Sequence, residues 1–322
     1  MSLRFVSAKV LGAIATLAFV LVFNFFLFRV VESDPVGSLY RGRNLSEEQK
    51  DRLAEEFGVN ESKPEQFRRY VNETLTGNLG VSIETRRPVT TEIRERIWPT
   101  VALVGTSAVL SALIGITIGI FSAWRRGSAF DQTSTGATMV LYSMPDFWLG
   151  LLLLVVFAST LTWFPTGGFT DAGSQETGFA RLLDQAHHMV LPALTLTLGY
   201  LGEYALLMRS SVLETVREDY LTLARAKGLR DAAVRRHHAV PNALLPVVTL
   251  LAINFGFVLS GAIAVESIYS WPGLGLATAD AIRAPDLPML QGLFLVFSAA
   301  VILANLAADL LYAALDPRVA KR

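Results

Sequence analysis

The sequence predicts an all-α membrane protein with six transmembrane helices, and three observations support this fold class. Only 17% of the 322 residues are charged and 52% are hydrophobic, whereas an average soluble domain has about 25% charged residues. The mean hydropathy is +0.43. The apolar residues also lie in long runs. Each run has about the length of 20 residues that a helix needs to cross a bilayer.

Six such runs occur, at residues 10–28, 101–124, 138–161, 189–208, 243–265 and 289–315. We expect each to be a helix, because lipid offers no hydrogen-bond partner to an open backbone. Arg4 and Lys9 before the first run resemble the basic start of a signal peptide. That run is too long for one, however, and no small-residue cleavage site follows it. We therefore expect residues 1–31 to be a retained anchor helix.

Basic residues predict the topology of the six spans. They flank the two ends of the chain, follow the second span as Arg125 and Arg126, and are most frequent between spans four and five. The positive-inside rule places these segments and both termini in the cytoplasm. Residues 32–97 then form an extracytoplasmic loop, which we expect to be folded and which is too long for the rule to apply. Residues 98–322 form a five-helix core.

Several classes of function lack support in the sequence. The chain has no cysteine and zero net charge, so disulfides and cysteine-ligated metals are excluded and nothing points to nucleic acid. No phosphate-binding loop, His-Glu-x-x-His or Gly-x-Ser-x-Gly motif occurs, so we expect no catalytic residues. His187 and His188 adjoin a span end without metal-site spacing, so we also expect no metal site.

The cytoplasmic segment at residues 210–240 carries the most specific pattern. Apolar residues recur at helical spacing up to Ala224, and residues 232–240 form a second helical pattern. Gly228 between them permits the positive φ that ends a helix, and Asp231 is placed to cap the second helix. A helix–turn–helix elbow is therefore predicted. It can be a connector lying on anionic lipid, but the small residues Ala224, Ala226 and Gly228 favour close approach of another protein.

At these residues the segment resembles the EAA loop of ABC importer permeases. More narrowly, it is similar to the dipeptide/oligopeptide (peptide/nickel) permease family. The matching residues are Asp219-Tyr220, Ala224-Arg225-Ala226-Lys227-Gly228-Leu229, Asn242-Ala243 and Pro246. Residues 266–275 and the C-terminal Leu315-Asp316-Pro317-Arg318 also resemble the family, so the likeness covers most of the chain. A departure is Ser33, where the family has glycine.

The resemblance implies the type I ABC importer permease fold in the inner or plasma membrane of a prokaryote. It implies a second homologous permease, two ATPase subunits that bind ATP and Mg²⁺, and an extracytoplasmic substrate-binding protein. This chain would bind no cofactor itself and would be surrounded by membrane lipid. The elbow would dock on an ATPase subunit, with Gly228 fixing the turn and Ala224 and Ala226 allowing close contact. The coupling residues implied are Tyr220, Ala224, Arg225, Ala226, Lys227, Gly228, Leu229 and Asp231.

Within the spans, ionisable groups are functional candidates. Glu203, beside Tyr204, is a candidate for the translocation pathway, where it would attract a peptide amino group. Gly115 and Gly119 form a small-residue pair that lets helices approach closely. Two other functions stay open at this point. One is an ion-gradient-driven transporter with Glu203 and Asp309 as carriers, and the other is a membrane-embedded enzyme, which lacks a catalytic constellation.

Overall fold

A computed structural model describes residues 3–31, 46, 48 and 61–315. The chain divides into two compact units, Met1–Thr100 with Gly273–Arg322, and Val101–Pro272. The prediction of a folded loop over residues 32–97 falls partly outside the described residues, at positions 32–45, 47 and 49–60. Its described end contains a helix and a short turn that leads into the second span.

The described residues are mainly helical. Short π-helical stretches continue three of the helices, at Leu27–Val31, Leu154–Thr160 and Arg235–Ala239. The α-helices are α1 (Leu3–Phe26), α2 (Lys63–Leu75), α3 (Val89–Trp124), α4 (Ala129–Ser143), α5 (Asp146–Leu153), α6 (Gly178–Thr215), α7 (Asp219–Ala226), α8 (Asp231–Val234), α9 (Val240–Ile268), α10 (Leu274–Arg283) and α11 (Leu287–Leu315).

Four helices in the described part of the chain are long and apolar enough to cross a membrane, namely α1, α3, α6 and α11. The bent pair α4 and α5, with its π extension, makes a fifth candidate span. The predicted span at residues 243–265 lies inside α9, which has 29 residues. Because the side chains of residues 252–261 lie outside the description, the count of six spans stays a prediction.

The third span is broken, and its prediction as one continuous helix over residues 138–161 is wrong. Its two helical parts are bent by 104° at a break of a few residues. Met144 adopts an extended backbone with φ −83° and ψ 133°. Pro145 explains this geometry, because the ring of a proline disfavours the helical conformation of the residue before it.

In the first unit, α1 packs against α11. Asn24 donates a hydrogen bond to the backbone oxygen of Gln291 at 3.1 Å, and Lys9 pairs with Asp309 at 2.8 Å. The start of α3 packs against α10 and α11 around the buried side chain of Val89. Asp309, a predicted ion carrier in the gradient-driven alternative, is therefore held by a basic residue.

In the second unit, α6 lies at the centre and is packed by α4, α5 and α9. Gly115 and Gly119 bring α3 against the same helix. A Cβ atom built on Gly115 would lie 2.8 Å from the Cβ of Tyr204, and one on Gly119 would lie 2.6 Å from the backbone oxygen of Ala205. The prediction that this glycine pair mediates close helix packing is confirmed, within the chain itself.

Candidate functional site

The predicted elbow is present between α6 and α9. Helix α7 ends in a turn at Gly228, whose φ of +82° lies in the left-handed region. The amide of Gly228 donates to the oxygen of Arg225 at 2.9 Å, which closes the turn. Left-handed backbone costs an ordinary residue about 1–2 kcal/mol and glycine almost nothing. The role of Gly228 in shaping the elbow is confirmed.

A small apolar core holds the two arms of the elbow together. Its buried residues are Leu221, Ala224, Val234 and Ala239, and Trp124 and Val216 pack against them. Ala224 is only 6% exposed. The expectation that Ala224 offers a close-contact surface to a partner is therefore wrong, because its side chain is used for packing inside the elbow. Ala226, by contrast, is exposed.

Trp124, at the end of α3, connects the elbow to that helix. Its indole N–H donates to Oδ2 of Asp231 at 2.7 Å. The guanidinium groups of Arg225 and Arg235 lie 5.9 and 5.7 Å from the centre of its ring, within the range of a cation–π attraction. Three groups thus converge on one indole, which connects the elbow to a membrane-spanning helix.

The structure corrects the predicted role of Asp231. Arg230 occupies the cap position of α8, and Asp231 is the first residue within the helix. Arg230 makes no side-chain capping bond, and the carboxylate of Asp231 accepts a hydrogen bond from Trp124. No sequence pattern indicates this contact, because the two residues lie 107 positions apart.

Tyr220 ties α7 to the start of α9. Its hydroxyl accepts a hydrogen bond from Nδ2 of Asn242 at 3.0 Å, and the same amide donates to the backbone oxygen of His238 at 2.8 Å. Tyr220 and Asn242 are both residues on which the family resemblance rests. In the structure they bond to each other and so set the position of α7.

The outward side of the elbow carries two large apolar side chains. Leu223 is 56% exposed and Leu229 is 42% exposed, with Ala226 and Lys227 exposed between them. We call these four residues the elbow crest. Leu223 is not among the predicted coupling residues. An apolar crest on a polar elbow is the kind of surface that binds another protein.

The two predicted pathway residues lie in different environments. Tyr204 is buried against α3, where a Cβ atom on Gly115 would meet it, so it offers a substrate no surface in this structure. Glu203 is half-buried. Gly199 lies one helical turn before Glu203 and faces the carboxylate of Asp146, at the break of the third span. Residues four apart share a helix face, so Glu203 lies on the same face of α6 as Gly199. The carboxylate of Asp146, on α5, approaches that face.

An ion pair with a buried carboxylate joins α4 to α6. Nε and one terminal nitrogen of Arg209 donate to the two carboxylate oxygens of Asp131, at 2.7 and 3.0 Å. The hydroxyl of Ser122 and the amide of Gly127 also donate to this carboxylate. Asp131 is buried, so its charge depends on these partners. Such a bidentate pair fixes the orientation of both groups as well as their distance.

One group of side chains in the described part of the chain has the composition of a metal site. Asp171, Asp184 and His188 have ligand atoms within 4.8 Å of one another. The expectation of no metal site considered only the spacing of His187 and His188. That spacing does not indicate that a loop brings Asp171 close to the buried side chain of His188.

Comparisons with known proteins identify the family of the chain. Residues 115–321 match the family described as binding-protein-dependent transport system inner membrane component. Residues 2–104 match the family of the N-terminal part of such membrane components. The chain is also similar to a solved structure of the MetNI methionine ABC transporter in an inward-facing conformation, with a TM-score of 0.56 and 16% identity over 70% of this chain and 96% of that one. This likeness concerns the fold alone.

Similar curated proteins match over nearly their full length. The dipeptide transport system permease protein DppB of Escherichia coli K12 is 34% identical over 98% of each chain. The glutathione transport system permease protein GsiC of Pectobacterium atrosepticum is 36% identical over 98% of this chain and 99% of its own. A probable peptide ABC transporter permease of Sinorhizobium fredii is 33% identical over 98% of each chain. The chain belongs to the family of binding-protein-dependent transport system inner membrane components.

Proposed function

We propose that this chain is the permease subunit of an ATP-binding-cassette importer and forms half of the translocation pathway for dipeptides or oligopeptides. The observation that carries the proposal is the likeness over 98% of the chain to permeases named for dipeptides, glutathione and peptides. A second homologous permease completes the pathway, and an extracytoplasmic binding protein delivers the peptide. The complex lies in a prokaryotic inner or plasma membrane, with both termini of this chain in the cytoplasm.

Energy for transport comes from two ATPase subunits, which bind ATP and Mg²⁺. The elbow crest docks on one of them through Leu223 and Leu229, with Lys227 and the exposed Arg225 at the polar edge. The contacts of Trp124 and Tyr220 support this role, because they join the elbow to α3 and α9. A packed element of this kind passes on the movement of its partner as a rigid body.

Replacing Gly228 by valine tests the coupling role of the elbow. A Cβ atom at Gly228 meets nothing within 4 Å, so the variant changes only the left-handed backbone and the surface that a partner meets. We expect valine to strain the turn by about 1–2 kcal/mol and to lower peptide uptake per ATP hydrolysed at least several-fold. The measurement is uptake and hydrolysis by the complex in proteoliposomes.

Gly77 provides a matched control for this substitution. It also has a positive φ, +80°, and open space around its Cβ position, but it lies between α2 and α3, in the first unit. Gly77→Val should leave the ratio of uptake to hydrolysis near the wild-type value. Equal ratios in Gly228→Val and wild type would contradict the coupling role.

Within the pathway, we assign Glu203 to attract the amino terminus of the peptide. Its half-buried carboxylate on the same side of α6 as Asp146 supports this assignment, since paired acidic groups favour a cation. Glu203→Gln should reduce uptake of a free dipeptide several-fold and leave uptake of its N-acetylated form unchanged. If both forms lose the same share of uptake, Glu203 does not recognise the amino group.

The ion-gradient alternative is not favoured. Its carrier Asp309 is paired with Lys9 at 2.8 Å, and the similar proteins are named as peptide, dipeptide and glutathione permeases.

A further inference from the structure

The loop that leads into α6 brings one histidine and two carboxylates together. The side chain of His188 is 3% exposed and that of Asp184 10%, whereas Asp171 is 80% exposed. Ligand atoms of the three residues lie within 4.8 Å of one another. The group therefore has a buried nitrogen and a buried carboxylate on α6, and an open side formed by Asp171 through which an ion can enter.

The imidazole of His188 is oriented for coordination. Its Nδ1 lies 3.0 Å from the backbone oxygen of Asp184, and a proton on Nδ1 that donates to this carbonyl leaves the lone pair of Nε2 free for an ion. Metal-bound histidines are usually held in this way by a carbonyl or carboxylate on the other ring nitrogen. Nδ1 also lies 3.0 Å from Oδ1 of Asp184, so both contacts hold the Nδ1 edge of the ring and leave the Nε2 edge open.

The distance from His188 to Asp171 fits an ion between them. Nε2 lies 3.7 Å from Oδ1 of Asp171. Zinc in tetrahedral sites binds histidine nitrogen and carboxylate oxygen at about 2.0–2.2 Å, so two such ligands of one ion lie about 3.3–3.5 Å apart. The observed spacing is slightly wider. Because Asp171 is 80% exposed, a small movement of its side chain lets both residues bind one ion.

The loop itself holds Asp171 in place. The amide of Asp171 donates to Oδ2 of Asp184 at 3.0 Å. Nearby, the amide of Gly168 donates to the oxygen of Tyr269 at 2.8 Å, and the ring of Phe169 packs edge-on against the buried ring of Trp271, with centres 4.9 Å apart. These anchors lie within three residues of Asp171, so little further ordering is needed when an ion binds.

We propose that His188 Nε2 and the carboxylate of Asp171 bind one divalent transition-metal ion such as Zn²⁺, with Asp184 holding both residues in place and water in the remaining positions. An imidazole ligand favours zinc and its neighbours over Ca²⁺ and Mg²⁺, which take oxygen ligands alone. The ion joins the loop to the first turns of α6. The proposal does not rest on the proposed transport function.

The test uses Co²⁺ as a probe for the zinc site, because cobalt bound by protein ligands absorbs visible light. The full chain is purified in detergent through a tag that contains no histidine. We expect one Co²⁺ per chain, displaced by Zn²⁺, and a higher melting temperature with Zn²⁺ present. Asp171→Asn should weaken binding by about 10–100-fold and abolish the thermal shift. Since Asp171 is 80% exposed, this variant should fold normally.

Glu176→Gln is the matched control, because Glu176 is exposed in the same loop and loses the same charge. It should bind Co²⁺ as the wild type does. Binding that is substoichiometric in the wild type, or that is equal in Asp171→Asn and wild type, overturns the proposal. Loss of the cobalt spectrum on substitution of His237 and His238, in the elbow, instead of Asp171 would also overturn it.

Discussion

Replacing Asp131 by alanine is expected to destabilise the second unit by about 1–3 kcal/mol, the cost of leaving hydrogen-bond donors without their buried acceptor. The change leaves the Arg209 guanidinium without the two hydrogen bonds at 2.7 and 3.0 Å that it makes in the native protein. Ser122 and the Gly127 amide also lose their acceptor. Thermal denaturation of the purified protein in detergent should show a melting temperature lower by several degrees.

An exposed pair in the same protein provides the control. Arg283 and Asp280 lie 3.3 Å apart with both side chains more than half exposed, and such pairs contribute at most about 1 kcal/mol. Asp280→Ala should therefore leave the melting temperature nearly unchanged. A similar shift in both variants would mean that burial of the Asp131 pair adds nothing to stability.

Gly119→Leu is the second substitution with a large expected effect. Even the Cβ atom would lie 2.6 Å from the Ala205 oxygen and 2.7 Å from the Cβ of Met208, and backbone cannot move aside as a side-chain end can. Overpacking a core costs about 1–3 kcal/mol, and leucine adds several atoms beyond Cβ. We expect little folded protein, measured as the monodisperse fraction in size-exclusion chromatography.

Gly105→Ala, in the same helix α3, is the control, because a Cβ atom there meets nothing within 4 Å. It should be neutral or stabilising by up to about 1 kcal/mol, since alanine is the better helix former. If Gly119→Leu behaves like Gly105→Ala, the close contact of α3 with α6 is not a determinant of the fold.

Features that depend on local chemistry could be predicted from the sequence. Gly228 was identified as a turn because glycine permits positive φ, and the Gly115–Gly119 pair because small residues recur on one helix face. The break at Met144 was not predicted, although Pro145 follows it in the sequence. The span was assigned from the length of the apolar run, and hydropathy does not reflect the backbone restriction that proline imposes on the residue before it. A proline inside an apolar run therefore predicts a break in the helix, even where the run is long enough to span the membrane.

Contacts between distant parts of the chain could not be predicted. The pairing of Trp124 with Asp231 depends on the packing of α3 beside the elbow. The inward orientation of Ala224 depends on which face of α7 meets Val234. A small side chain is compatible both with packing inside the elbow and with contact to a partner protein. The approach of Asp171 to His188 depends on a loop path that no spacing along the chain encodes.

The central claim is that the chain moves peptides as part of an ATP-driven complex. Its most direct test is uptake of a labelled dipeptide into proteoliposomes that contain this chain together with the products of its flanking genes and the binding protein. We predict uptake that requires ATP and stops when the ATPase subunits are left out. Uptake by this chain alone, driven by a proton or sodium gradient without ATP, would contradict the account.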